Sequence, residues 1–272
     1  MSERSEASLI DIGANLTHES FARDLEAVLK RAKAASLAQI VVTGADAASS
    51  EQAVALARRH PGFLFATAGV HPHHAKDFST ETEKRIQALL REPEVVAVGE
   101  TGLDYHRDYS PRAAQLLAFE RQLELALASG KPMFLHQREA HEDLIAILKP
   151  VRDRLGPLVV HCFTDERKAL FETLDLDIHI GITGWICDER RGRHLLELVR
   201  HIPADRLLIE TDAPYLLPRD LPEKPRSRRN EPMYLPHIAR RIAEARGESY
   251  AELAARTTAN ARAFFRLPSP SA

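Results

Sequence analysis

The chain has 272 residues, 44% hydrophobic and 28% charged, with a formal net charge of −2. That length suits one large α/β domain or two small ones, and the charge balance excludes bulk attraction to nucleic acid or anionic membrane, so polyanion binding must come from local basic patches. Two cysteines, Cys162 and Cys187, exclude a disulfide scaffold, and no apolar run reaches membrane-spanning length; a reduced, cytoplasmic setting is expected.

The first eight residues are polar and read as a loose tail, as do residues 267–272. Between them, short apolar runs alternate with longer amphipathic stretches. The runs are LIDIGAN (9–15), QIVVTGA (39–45), FLFATAGVHP (63–72), VVAVGETGLD (95–104), PMFLHQR (132–138), PLVVHCFT (157–164), IHIGITG (178–184) and RLLIETDAPY (206–215). Each ends in Gly, Pro or polar groups, as a buried strand does. The intervening stretches, such as FARDLEAVLKRAKAASL (21–37) and RAAQLLAFERQLELALASG (112–130), repeat apolar residues at helical spacing. Further helical pattern follows the last run, around residues 234–247 and 250–265.

Eight strand–helix units in a single unbroken stretch predict a closed (β/α)8 TIM barrel of one domain, residues 9–266. The rival is an open doubly wound sheet, and the first strand lacks the Gly-rich turn such a sheet uses to bind dinucleotides. In a parallel barrel the C-terminal strand ends open on one face, where active sites sit. Reading those ends gives Asp11, Asn15, His71, His73, Glu100, His136, His161 and Asp212. Several imidazoles with three carboxylates suit a divalent metal.

Each residue has a plainer reading. A lone strand-end histidine is often a satisfied core residue, but His136 and His161 end successive runs at equivalent positions, which points to ligands. Glu100 at the mouth of a buried strand is an expensive charge without a partner. Asp104, next in the loop, supports the site or shapes a turn. Asp212 could cap a turn before Pro214; its place after the last strand favours a metal ligand or general base. Glu210 and Asp212, two apart, share a side of an extended strand unless the chain turns after Thr211. His71 is the histidine of GVHPHH nearest its strand. The run KPRSRRN (224–230) could be a solvated surface, but it leaves the active-site face, so Arg226, Arg228 and Arg229 are candidate phosphate clamps. DERRGR (188–193) is a second basic loop. Trp185 could stack on a base or pack on the rim.

These motifs together resemble the TatD family of metal-dependent deoxyribonucleases, within the amidohydrolase-like barrels. The matching elements are DIGANLT, TAGVHPH, AVGETGLDY, MFLHQREAH, VVHCFT, IGITGWICDERRG, LLIETDAPYLLPRDL and KPRSRRNEP, spanning almost the whole chain. The resemblance implies 3′-to-5′ exonuclease action on single-stranded DNA, in some members also on RNA, with one or two Mg²⁺ or Mn²⁺ ions; a monomer is expected. It implies metal ligation by Glu100, His136, His161 and Asp212, a water-activating role for Asp212 and an active-site place for His71. Read with the residues above, Asp212, Glu100 and His71 are the expected catalytic groups and Asn15, His71, Trp185, Arg226, Arg228 and Arg229 the expected substrate contacts. One departure stands out. Many relatives begin D-x-H-x-H, whereas this chain has Asp11, Gly13 and Asn15. Loss of both imidazoles favours a weakly held, oxygen-preferring ion such as Mg²⁺ over Zn²⁺. Two other functions suit the same residues: a barrel amidohydrolase acting on a small ester, lactone or amide, and a non-catalytic nucleic-acid-binding barrel.

Overall fold

The computed structural model describes residues 8–269. Every predicted apolar run meets one strand, and all but β2, which starts two residues ahead of its run, lie within theirs: β1 (Leu9–Ala14), β2 (Leu37–Val42), β3 (Leu64–Ala68), β4 (Val95–Asp104), β5 (Met133–Arg138), β6 (Leu158–Val160), β7 (His179–Ile182) and β8 (Leu207–Ile209). All neighbours pair in parallel, in sequence order. The seam between β8 and β1 is joined just past β8, where Asp212 N donates to Gly13 O and Asn15 N to Ala213 O. A strand buried on both faces needs apolar residues at every position, which is why these runs do not alternate.

Helices α1 (Leu25–Ala34), α2 (Ala47–Arg59), α3 (Thr80–Leu89), α4 (Arg112–Ser129), α5 (His141–Leu148), α6 (Arg167–Asp175), α7 (Arg193–Leu198), α8 (Leu235–Arg246) and α9 (Tyr250–Phe265) complete the fold. Their ends follow local chemistry. Asp46 and Ser49 form a capping box that starts α2, and Ser249 with Glu252 does the same for α9. Gly130 and Gly247 end α4 and α8 in the left-handed conformation. No helix among the described residues is long and apolar enough to cross a membrane.

A buried cluster joins Ile10, Ile12, Val41, Phe65, Phe134, Val159 and Leu208 from the strands with Phe264, Phe265 and Leu267 at the end of α9. Phe264 packs edge-on against His179, the first residue of β7, so the end of α9 plugs the barrel at the N-terminal strand ends. Leu267 is buried, and the Pro268 carbonyl accepts a hydrogen bond from Gln39 Nε2. The expected loose C-terminal tail is therefore packed at residues 267 and 268. Residues 1–7 and 270–272 of the expected tails lie outside the described residues.

Asp11 braces β1 against the residues that follow β8. It is fully buried and accepts from Thr211 N (3.0 Å), Thr211 Oγ1 (2.6 Å) and Gly13 N (3.3 Å). Burial pushes its pKa up to about 7 despite the hydrogen bonds from Thr211. Between the ordinary carboxylate value and about 7 the folded protein holds a proton that the unfolded chain has released, so this contribution to stability declines as pH rises through that window. Asp11→Asn has no such proton to lose. The difference in Tm, wild type minus Asp11→Asn, should therefore fall steadily between pH 4.5 and 7.5, by roughly several degrees. Thermal melts across that range check this, and a flat difference would refute it.

Candidate active site

Strand β4 delivers the central carboxylate. Gly99 and Gly102 have φ of +143° and +140°, and the pairing of β4 with β5 shifts between Val98 and Thr101. A Cβ on Gly99 would lie 2.3 Å from Phe134 O and one on Gly102 2.0 Å from His136 O, so only glycine permits this close backbone approach. The Gly99–Glu100 peptide is cis. The Glu100 side chain emerges among three imidazoles: its Oε1 lies 2.7 Å from His161 Nε2, 3.0 Å from His136 Nδ1 and 3.3 Å from His71 Nε2. Burial opposes the Glu100 charge, yet His161, His71 and His136 hold the carboxyl well below its usual range.

Two of these imidazoles are backed by a second carboxylate. His136 places Nε2 3.1 Å from Asp104 Oδ2, and His161 places Nδ1 3.4 Å from Glu210 Oε2. Asp104 and Glu210 are themselves anchored, Asp104 by Arg107 N and Glu210 by Cys162 N. Burial acts to raise Asp104, but the hydrogen bonds from His136 and His73 hold its pKa far below the ordinary value. For His161, burial disfavours the charge, while Glu100 and then Glu210 raise its pKa well above the ordinary value. The His136 N–H held by Asp104 leaves the inward Nδ1 lone pair for a metal, as in many carboxylate–histidine–metal sites, whereas Glu210 faces His161 Nδ1 as an ion pair without an aligned hydrogen bond.

His71 is different. Its Nδ1 accepts from the backbone of His73 (3.1 Å), and burial lowers its pKa to about 4. The ring is thus neutral near pH 7, and the hydrogen-bond network puts its one proton on Nε2. The ligand atoms of His71, Glu100 and His136 lie within 4.8 Å of one another. Even so, a nitrogen carrying a proton donates rather than ligates, so His161 suits the third metal position better.

Asp212 faces this group from the end of β8. Its φ of 54° turns the chain after Thr211, so Glu210 is fully buried while Asp212 opens into the cavity. Oδ1 of Asp212 accepts from Asn15 Nδ2 at 3.0 Å. Burial pushes its pKa up to about 7. A Cβ on Gly13 would meet Glu210 Oε2 at 2.5 Å and Phe134 Cζ at 2.8 Å, so the present packing has no room for an imidazole there.

The cavity has a volume of about 660 Å³ and brings together Asn15, His71, Glu100, His136, His161 and Asp212. Trp185, Arg138, Arg191 and Arg228 form part of its rim. Two of the proposed clamps lie elsewhere. Arg229 forms ion pairs with Asp24 (2.8 Å) and Glu231 (2.7 Å), which tie the loop to the start of α1; its guanidinium is committed and does not line the cavity. Arg226 is exposed and is not among the lining residues. Arg191, from the second basic loop, and Arg138, at the end of β5 and without a sequence signal of its own, both flank Trp185, at 5.5 and 5.7 Å from its ring centre. His73, passed over in favour of His71, binds Asp104 at 2.9 Å and also lines the cavity.

The family model for TatD-related DNases matches residues 10–266. The chain belongs to this family. It is 52% identical to the 3′-5′ ssDNA/RNA exonuclease TatD of Erwinia tasmaniensis over 259 residues, covering 95% of this chain and 100% of that one. The protein of the same name from Erwinia amylovora is 53% identical over the same span. Among solved structures, a TatD homologue from Escherichia coli K12 superposes with a TM-score of 0.87 at 30% identity, covering 96% of this chain and 99% of that one. A TatD-family hydrolase from Entamoeba histolytica gives the same TM-score at 27% identity.

Proposed function

We propose that this TatD-family barrel is a divalent-metal-dependent nuclease that removes nucleotides from the 3′ end of single-stranded DNA, and of RNA. The observation that carries this reading is the pair of carboxylate-backed imidazoles, His136 and His161, converging on Glu100 opposite Asp212. The donor set fits a divalent cation: two carboxylates and two imidazoles with orientations already fixed. Glu100, His136 Nδ1, His161 Nε2 and Asp212 would hold it. Oxygen donors from Glu100 and Asp212, with no imidazole at positions 13 and 15, favour Mg²⁺ or Mn²⁺. When bound, the ion supplies Lewis acidity, lowering the pKa of water and screening phosphate charge.

The chain's own groups do the rest. Asp212 takes the proton of the attacking water as the new P–O bond forms, and the opposite ester oxygen leaves with its bonding pair. His71 Nε2–H donates to a non-bridging phosphate oxygen, where negative charge grows in the transition state. Arg228 and Arg191 hold the neighbouring backbone, and Trp185 stacks on a base. The names of the close relatives support the polarity and the substrate.

The direct test uses single-stranded DNA labelled at either end, with Mg²⁺ or with EDTA. A 5′ label should yield a descending one-nucleotide ladder and a 3′ label an immediate mononucleotide, both abolished by EDTA. No cleavage with any divalent ion, or hydrolysis of simple esters instead, would overturn the reading.

A further inference from the structure

The catalytic cavity does not end at Trp185. A second cavity of about 420 Å³ adjoins it and shares Trp185, Arg191, Leu216 and Arg228 with it. Its walls are the segments that follow β7 and β8. These pack backbone against backbone: a Cβ on Gly184 would lie 2.3 Å from Leu216 O. Asp188 also bridges the two walls, with Oδ2 3.8 Å from both Arg191 Nε and Arg219 Nη1.

The chemistry of this second cavity differs from that of the first. Four cations line it, Arg191, Arg219, Lys224 and Arg228, against the single carboxylate of Asp188. Asp188 is already shared between two guanidiniums and two backbone N–H groups. No ion pair is found for Lys224 or Arg228 among the described residues. Between the cations lie apolar surfaces, including Trp185, Leu217, Leu221 and Pro225. Cations interleaved with an aromatic and aliphatic floor suit a single strand, whose phosphates need charge and whose unstacked bases need flat apolar contacts; a duplex keeps its bases stacked inside. There is no imidazole in the lining, so the surface binds and does not cut.

We propose that this groove is an extended strand-binding subsite. It holds the nucleotides on the 5′ side of the scissile bond and passes the strand over Trp185 into the catalytic cavity. The proposal rests on the nuclease reading for its polarity. The recognised ligand is a single-stranded polynucleotide longer than a dinucleotide, and Arg219 and Lys224 are its backbone contacts outside the catalytic cavity.

The test compares a thymidine dinucleotide with oligothymidylates of increasing length, using wild type and Arg219→Ala/Lys224→Ala. The kcat/KM of wild type should rise with length. The double variant should lose about tenfold on long substrates, mostly in KM, with a salt slope shallower by roughly one, while dinucleotide cleavage stays within about twofold. Trp185 is the chain's only tryptophan, so its fluorescence reads occupancy directly. Quenching by long oligothymidylate should require higher concentrations in the double variant. Equal affinity and equal length dependence in the two proteins would overturn the groove. If wild type cuts nothing yet binds long strands in an Arg219- and Lys224-dependent way, the nuclease reading fails and the groove stands; if it neither cuts nor binds, both fail.

Discussion

Glu100→Gln should lower kcat on single-stranded DNA by about a thousandfold or more while the barrel stays folded. Its Oε1 is the point on which His161, His136 and His71 converge, within 2.7–3.3 Å. Glutamine fills nearly the same volume, so the tight approach of Gly99 to Phe134 O is undisturbed. What changes is charge. A divalent ion in this cavity would keep Asp212 as its one carboxylate, beside neutral imidazoles, and a hard ion depends most on anionic oxygen. The amide also sets N–H donors where ring nitrogens must offer lone pairs. Mn²⁺ binding, followed by electron paramagnetic resonance, should weaken together with kcat. Circular dichroism should be unchanged and the melting temperature should move by only a few degrees. A variant keeping more than a tenth of wild-type activity would remove Glu100 from the centre of the site.

The glycines around Glu100 also show how much of the site was readable beforehand. The eight strands are legible because burial on both faces forces nearly continuous apolar runs, and the strand ends named Glu100, His136, His161 and Asp212 as neighbours. GETG carries a further signal: its two glycines, on either side of Glu100 and Thr101, hold the backbone at positive φ and so aim the carboxylate. Other features have no local signature. Glu210 looks like a strand partner of Asp212, but the left-handed turn at Asp212 separates them and leaves Glu210 behind His161. Arg228 and Arg229 are adjacent in one basic run. Their different fates depend on Asp24, which is far away in sequence and meets Arg229 only once the barrel closes. A charge run shows that cations are present, while long-range partners decide which of them are free.

Asp212→Asn should cut kcat by about a hundred- to ten-thousandfold with KM changed by less than about threefold. The fold should tolerate it well, because asparagine accepts the left-handed φ of 54° and keeps a carbonyl oxygen for Asn15 Nδ2. Burial lifts the Asp212 pKa to about 7, which gives it useful proton affinity near neutrality; a cation nearby pulls that value down. The base works in its ionised form. The kcat of wild type should therefore climb with pH and level off at or below about 7, and the climb attributable to Asp212 should be absent from the asparagine variant. Raising Mg²⁺ separates the two roles open to this side chain. If Asp212 served only to hold the ion, saturating metal would restore kcat. If it takes the proton of the attacking water, activity stays low at every Mg²⁺ concentration, because an amide cannot accept that proton. We expect the second result. Full recovery at high Mg²⁺ would leave Asp212 as a ligand and move the base elsewhere in the cavity.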